Sequence, residues 1–337
     1  MMNKIQHFPS RLWRLLALAL PLAACTSEVT DEALPGSASP ITFRTAEVTK
    51  AVVTGFNDGD AFSVWGWYDN GATNVFDDVT VTNSNGSWTY SPYQYWIAGK
   101  SYRFYAVYPT AVKTEVAEDG TITVTDFDAS KTGKDAVDLM TAQSGEMSGS
   151  SPELVAFTFN HALTRLSFAI KLADDMPAGY KVSVNNLSFR AYSQGNMTQS
   201  INSDASWSVV DKSLKNYEIG SETLQNHPDI IATGATNEAV NITENHDLLM
   251  IPQDMVDQVH YVHISYKLEN NKPATDPAYQ FLENEVDIPL TNASVTSWGA
   301  GEALAYTIII SPQHIALVLT VGDWMDGNSG YEDIDME

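Results

Sequence analysis

Apolar and polar residues alternate in short runs along most of the chain after residue 40, and a two-residue period of this kind predicts β-strands. No segment shows apolar residues at sustained helical spacing. Gly, Asn, Asp, Ser and Pro separate the runs, which is typical of turns between strands. The predicted strands are Ile41–Phe43, Phe62–Tyr68, Asp78–Thr82, Trp88–Tyr90, Tyr102–Tyr108, Thr121–Thr125, Asp138–Ala142, Val155–Phe159, Leu163–Leu172, Lys181–Phe189, Ser206–Val210, Asp247–Pro252, Val259–Leu268, Glu285–Leu290, Tyr306–Ser311 and Ile315–Val321.

Many short alternating strands in one chain favour β-sandwiches. The clearest internal loop by composition is the Ser- and Gly-rich segment 143–152. The sequence therefore predicts an all-β fold with two tandem β-sandwich domains, the first over residues 41–148 and the second over residues 149–337.

The N-terminus has the pattern of a lipoprotein export signal. Basic residues at Lys4, Arg11 and Arg14 precede an apolar stretch that ends in small residues and Cys25. The stretch is too short to span a bilayer, so it is a targeting segment. We therefore predict a signal peptide over residues 1–24 that is cleaved before Cys25, lipid attachment at Cys25, and a flexible lipidated tether over residues 25–40.

Charge narrows the range of partners. The chain has 42 acidic and 18 basic residues, with a formal net charge of −24. Nucleic acid and anionic lipid head groups are poor partners for such a surface, because phosphate binding needs Lys and Arg. Attachment to the outer membrane must then come from the lipid on Cys25. Cys25 is the only cysteine, so a lipidated chain has no internal disulfide.

Motifs for catalysis and cofactor binding do not occur in the sequence, and we predict neither a cofactor nor a metal. His260 and His263 lie three apart in a predicted strand, and such residues point to opposite faces. His161 has apolar neighbours and is predicted to be structural, bonded to backbone. A calcium site is the alternative for several loop carboxylates, although turn formation and solubility explain them better: Asp58, Asp60, Asp69, Asp77 and Asp78.

Aromatic residues are dense between Phe62 and Tyr108. Core packing with cross-strand aromatic pairs explains most of them. The alternative is a platform on which flat rings stack against sugars, for which the candidate glycan contacts are Trp65, Trp67 and Trp96.

An ordered set of short motifs resembles the fimbrillin family of the Bacteroides group, the type V pilins and their accessory proteins. The similarity covers about residues 41 to 327, and each motif is weak alone. The matching pieces are Ile41–Phe43 with Thr49–Ala51, Phe56–Asp60 with Phe62–Trp65, Tyr95–Trp96 with Tyr102–Pro109, Asp138–Met140 with Ala142, Phe157–Leu163 with Arg165–Leu166, Leu248–Gln253, Trp298–Gly301 with Tyr306–Ile308, and Val321–Trp324 with Asp326–Gly327.

The resemblance implies transthyretin-like sandwich domains, no enzymatic activity, and export to the cell surface as a lipoprotein. It also implies assembly with other fimbrial subunits by donor-strand exchange, in which a protease removes the first strand and a neighbouring subunit's strand fills the groove. The position that matches the cleavage site is Lys50, where well-known members have arginine. Arg44 is a second candidate, inside or at the end of the first strand.

The sequence thus favours a fimbrial subunit or adhesin that contacts other subunits and a glycan or protein on a host or bacterial surface. Two alternatives stay open. One is a monomeric surface lipoprotein that binds glycan through exposed aromatic rings. The other is a glycan-processing hydrolase, which needs a pair of carboxylates across a cleft. Stalk, anchor and tip roles are not distinguished by sequence.

Overall fold

The computed structural model describes residues 39–45, 56–219, 229–243, 246, 248–256 and 259–324 of the chain. Within these residues the regular structure is strands, with two short 3₁₀ helices at Gly133–Asp135 and Leu290–Ala293. No helix in the described part of the chain is long and apolar enough to span a membrane.

In the described part of the chain, eleven strands precede residue 163. They are β1 (Phe43–Thr45), β2 (Ala61–Tyr68), β3 (Thr73–Ser84), β4 (Ser87–Thr89), β5 (Ser101–Tyr108), β6 (Thr114–Val116), β7 (Ile122–Asp128), β8 (Met140–Gln143), β9 (Met147–Ser148), β10 (Val155–Phe157) and β11 (Asn160–His161).

Twelve strands follow among the described residues up to 324. They are β12 (Thr164–Leu172), β13 (Lys181–Gln199), β14 (Ser206–Ile219), β15 (Ile230–Ile231), β16 (Val240–Asn241), β17 (Leu248–Met250), β18 (Gln253–Asp254), β19 (Tyr261–Glu269), β20 (Phe281–Pro289), β21 (Ser297–Trp298), β22 (Glu302–Ile310) and β23 (Ile315–Asp323).

Three larger sheets organise these strands. The first has the order β11-β8-β5-β2-β3-β4, with β9 also paired to β5. The second has the order β20-β19-β13-β7-β6, with β14 and β15 also on β13. The third has the order β16-β12-β22-β23, with β17 on β12. Two small pairs complete the structure, the parallel pair β1–β10 and the antiparallel pair β18–β21.

The apolar residues form three clusters. One face of the first sheet packs with β1 and β10 around an aromatic cluster that includes Phe62 and Phe104. The opposite face of the same sheet, with Trp65 and Trp67, packs against residues of β7 and β13. A third cluster lies between the second and third sheets. Both faces of β2 and β5 are therefore buried, which is why their sequences are almost continuously apolar.

The predicted all-β fold class is confirmed by this arrangement. The predicted division at residues 148/149 stays a prediction. Strands from the two sides of that point pair with each other. From the N-terminal side, β7 joins the second sheet by pairing with β13. From the C-terminal side, β10 pairs with β1 and β11 pairs with β8.

Gly66 in β2 gives a test of how tightly the aromatic cluster is packed. A Cβ at this position would lie 2.6 Å from Cδ1 of Phe104 and 3.2 Å from Cδ2 of Phe76. We expect Gly66→Ala to lower the free energy of unfolding by about 1–3 kcal/mol, since buried rings must shift to admit the methyl group. Urea unfolding followed by tryptophan fluorescence measures this. Gly145→Ala is the matched control, because nothing lies within 4 Å of its Cβ position; equal effects of the two changes would contradict the packing argument.

Candidate functional site

The first strand lies between two segments that come much later in the chain. Residues 39–41 run antiparallel to residues 94–96, with Pro40 opposite Tyr95. The Ile41 N–H donates to the Gln94 carbonyl at 2.8 Å, and the Trp96 N–H donates to the Ser39 carbonyl at 3.0 Å. On the other side, β1 runs parallel to β10. We call the channel between residues 94–96 and β10, which residues 39–45 occupy, the first-strand groove.

Alternate side chains of this segment enter the protein core. Ile41 and Phe43 are buried, whereas Arg44 is exposed. Successive side chains of a strand point to opposite faces, so the Ile41-Thr42-Phe43 pattern fixes which face is inward. The first strand thereby contributes two residues to the aromatic cluster of the first sheet.

Phe43 contacts five aromatic rings, which we call the aromatic box: Phe62, Phe76, Tyr90, Phe104 and Phe157. The Phe43 ring stacks on Phe157 with centroids 5.7 Å apart and an interplanar angle of 8°. Four further rings meet it edge-on or steeply tilted, which is a favourable geometry for aromatic pairs. Their centroid distances to Phe43 are 6.5 Å for Phe62, 5.4 Å for Phe76, 5.6 Å for Tyr90 and 6.1 Å for Phe104.

Tyr90 also binds the main chain of the first strand. Its hydroxyl donates to the Ile41 carbonyl at 2.8 Å and accepts from the Gln94 N–H at 3.1 Å. Burial raises the pKa of the Tyr90 hydroxyl to about 12. The hydroxyl therefore keeps its proton at physiological pH and remains a donor to the strand.

The three tryptophans proposed as glycan contacts are buried. Trp65, Trp67 and Trp96 are 3%, 8% and 4% exposed. Trp67 reaches a small surface cavity of about 130 Å³, whose wall also includes Arg103 and Glu146. None of the three indoles offers an open face on which a sugar could stack, so the structure gives the platform hypothesis no support at these positions.

Three of the carboxylates considered for calcium have local partners. Asp60 accepts from the Asn57 N–H at 2.6 Å, and Asp58 accepts from the Asn85 N–H at 2.8 Å. Asp69 pairs with Lys100. The described residues contain no group of three or more His, Cys, Asp or Glu side chains placed to hold a metal ion.

His161 has a carboxylate partner that the sequence did not predict. Its Nδ1 lies 3.0 Å from Oδ1 of Asp138, and its ring stacks on Trp324 with centroids 3.7 Å apart. This stack ties β11 to the end of β23. His161 is thus a buried residue whose carboxylate partner and ring stack have a structural role.

His260 and His263 do not share a site. His260 is buried just before β19, and its Nδ1 accepts from the Val256 N–H at 2.9 Å. Burial lowers the pKa of the His260 imidazole. His263 lies in β19 and pairs instead with Asp287 and Glu285 of β20, at 2.7 Å and 3.5 Å.

Comparison with protein families identifies the family of the chain. The sequence profile of a family described as fimbrillin-like matches residues 49–324. This protein belongs to the fimbrillin-like family. Fimbrillin-like proteins are fimbrial structural and adhesion proteins rather than enzymes, and the hydrolase alternative is therefore wrong.

Solved structures show the same fold. A fimbrial protein from Bacteroides vulgatus is 18% identical, with a TM-score of 0.61 over 85% of this chain and 99% of that one. A protein from Bacteroides uniformis assigned to cell adhesion is 19% identical, with a TM-score of 0.53 over 85% of this chain and 98% of that one. At these identities the likeness concerns the fold alone. A comparison with curated proteins gives no significant match.

The residues predicted for processing of this fimbrillin-like chain are only partly within the described structure. Arg44 lies inside β1, opposite Ala156 of β10. Cys25 and Lys50 lie outside the described residues, so lipidation and cleavage there stay predictions. The signal peptide over residues 1–24 also lies outside the described part, as does all of the tether except residues 39 and 40.

Proposed function

We propose that this protein is a structural subunit or accessory adhesin of a surface fimbria, exported as a lipoprotein and assembled by exchange of its first strand. One observation carries the proposal. The first strand fills a groove between two segments of the same chain and supplies buried side chains to their core, as a donated strand must. A segment held in this way leaves an apolar groove with unpaired main-chain groups when it is removed.

Lys50 is the bond we propose for cleavage. It is the only basic residue in the segment 46–55, which joins the first strand to the rest of the fold. Arg44 is a poorer substrate, because its main chain lies in the ladder with β10 and proteases bind extended, unpaired segments. Cleavage after Lys50 would release the strand together with Cys25 and its lipid.

We expect Lys50→Ala to abolish assembly into sheared surface polymers while leaving the monomer folded and attached to the membrane. Intact-mass and N-terminal peptide mass spectrometry of sheared and membrane fractions measure this. The wild-type polymer should begin at Ala51, and the variant should carry an acylated Cys25. Arg44→Ala is the control and should assemble normally. Polymers that begin at an acylated Cys25 would contradict cleavage-triggered assembly.

A monomeric glycan-binding lipoprotein is the second candidate, and one observation favours it. Tyr93 and Tyr95 are 50% and 49% exposed and lie two residues apart in an extended segment, with exposed Ile97 next in the same alternation. A glycan array tests this role. Binding that Tyr95→Ala removes from a folded monomer, together with a failure to form polymers, would favour this candidate over the fimbrial one.

A further inference from the structure

The contacts between the first-strand groove and the strand inside it differ from one position to the next. At Ile41 the main chain bonds to the Tyr90 hydroxyl and the Gln94 carbonyl, and the buried side chain packs in the aromatic cluster. At Phe43 the main chain lies in the ladder with β10, and the side chain contacts the five rings of the aromatic box. At Arg44 the side chain faces solvent. A strand that occupies the groove is therefore held by its backbone along its length and by buried side chains at the positions of Ile41 and Phe43.

We propose that the groove selects its incoming strand by an aromatic ring at the position of Phe43, with an aliphatic residue two positions earlier and free choice at the outward position of Arg44. This inference rests on the proposed function, since it concerns the strand that replaces the first strand after cleavage. The partner it defines is an extended segment of another subunit with the pattern aliphatic–any–aromatic.

Ring geometry is the reason for this selectivity. Phe157 stacks flat against one face of Phe43, while Phe62, Phe76 and Phe104 present edges or steeply tilted planes around it. Only a flat ring can stack on the parallel ring of Phe157 and also contact the steeply inclined rings around it. A branched aliphatic side chain would lose contact with one or more of these rings. The void left there would lose dispersion energy.

The groove also has a defined direction of pairing with the strand that occupies it. Residues 39–41 pair antiparallel with residues 94–96, and β1 pairs parallel with β10. A strand inserted in the opposite direction would have to pair parallel with residues 94–96 and antiparallel with β10, and its hydrogen bonds would fall at different positions.

A strand-replacement experiment on the whole chain tests the inference. In a Cys25→Ser chain, a site-specific protease sequence replaces residues 46–50, and cleavage there leaves the first strand bound without a covalent link. Fluorescent peptides with the sequence of residues 39–48 then compete for the groove, and fluorescence anisotropy measures their affinity. The panel contains the native peptide and its Phe43→Leu, Phe43→Ala and Arg44→Ala forms.

We expect the native peptide to insert. The Phe43→Leu peptide should bind about tenfold more weakly, and the Phe43→Ala peptide on the order of a hundredfold or more. The Arg44→Ala peptide should bind within about threefold of the native one. In a Tyr90→Phe chain every peptide should weaken by a similar factor, about fivefold, because that hydrogen bond goes to main chain.

The outcomes separate this inference from the function on which it rests. If the Phe43→Ala peptide binds as well as the native peptide, the groove recognises backbone only, and the inference is wrong although strand exchange stands. If Arg44→Ala weakens binding as much as Phe43→Ala, the inference is wrong as well. If the native peptide does not insert at all, strand exchange and the inference are both overturned.

Discussion

Replacing Phe43 with alanine is expected to lower the free energy of unfolding of the uncleaved protein by about 3–5 kcal/mol. The side chain is buried among five aromatic rings, so its removal leaves a cavity that those rings cannot easily close. Ring pairs contribute energy beyond their buried area, which puts the effect in the upper part of the range for large-to-small changes. Urea unfolding of the Cys25→Ser chain, followed by tryptophan fluorescence, measures the change.

Arg44→Ala is the matched control for Phe43→Ala. It lies on the same strand, one residue further on, with its side chain exposed. We expect it to change the free energy of unfolding by no more than about 0.5 kcal/mol. A Phe43→Ala effect as small as that of Arg44→Ala would mean that the first strand adds little to the core of the uncleaved chain, and the case for a functional groove would lose its physical basis.

Strands with apolar residues on both faces could be predicted well from the sequence. The aromatic runs at Phe62–Tyr68 and Tyr102–Tyr108 coincide with β2 and β5 to within one residue at each end. Their two faces enter two different clusters, so nearly every position is constrained to be apolar. A nearly continuous apolar run therefore predicts both the strand and its ends accurately.

The long hairpin of β13 and β14 was predicted only in part. The predicted strands ended at Phe189 and Val210, whereas the structure continues them to Gln199 and Ile219. In the extensions, main-chain pairing between the two strands sustains the ladder, and many side chains are polar and face solvent. Polar side chains without alternation give no periodic signal, so the sequence pattern predicts a loop there.

The first strand was predicted, but its neighbours were not. Alternation in Ile41-Thr42-Phe43 indicates a strand with one buried face, and the sequence carries that information locally. The segment 94–96 and β10 lie roughly 50 to 115 residues further along the chain, and nothing in their composition points to β1. The same limit explains His161, whose carboxylate partner Asp138 lies 23 residues earlier.

Replacing Trp298 with alanine is expected to lower the free energy of unfolding by about 3–5 kcal/mol, through the cluster between the second and third sheets. The indole is buried there, and its Nε1–H donates to the Tyr306 hydroxyl at 2.9 Å. Burial raises the pKa of the Tyr306 hydroxyl, so it stays neutral, and its oxygen accepts this hydrogen bond. Thermal or urea unfolding of the purified chain measures the change.

Trp298→Phe separates the packing of Trp298 from its hydrogen bond. Phenylalanine keeps much of the apolar volume but cannot donate to Tyr306, which would cost about 1–3 kcal/mol for a buried group left unpaired. Tyr306→Phe removes the acceptor instead and should cost a similar amount. If the double change Trp298→Phe with Tyr306→Phe is less destabilising than the sum of the two single changes, the hydrogen bond couples β21 to β22. Strict additivity would contradict that coupling, and the effect of Trp298→Ala would then come from packing alone.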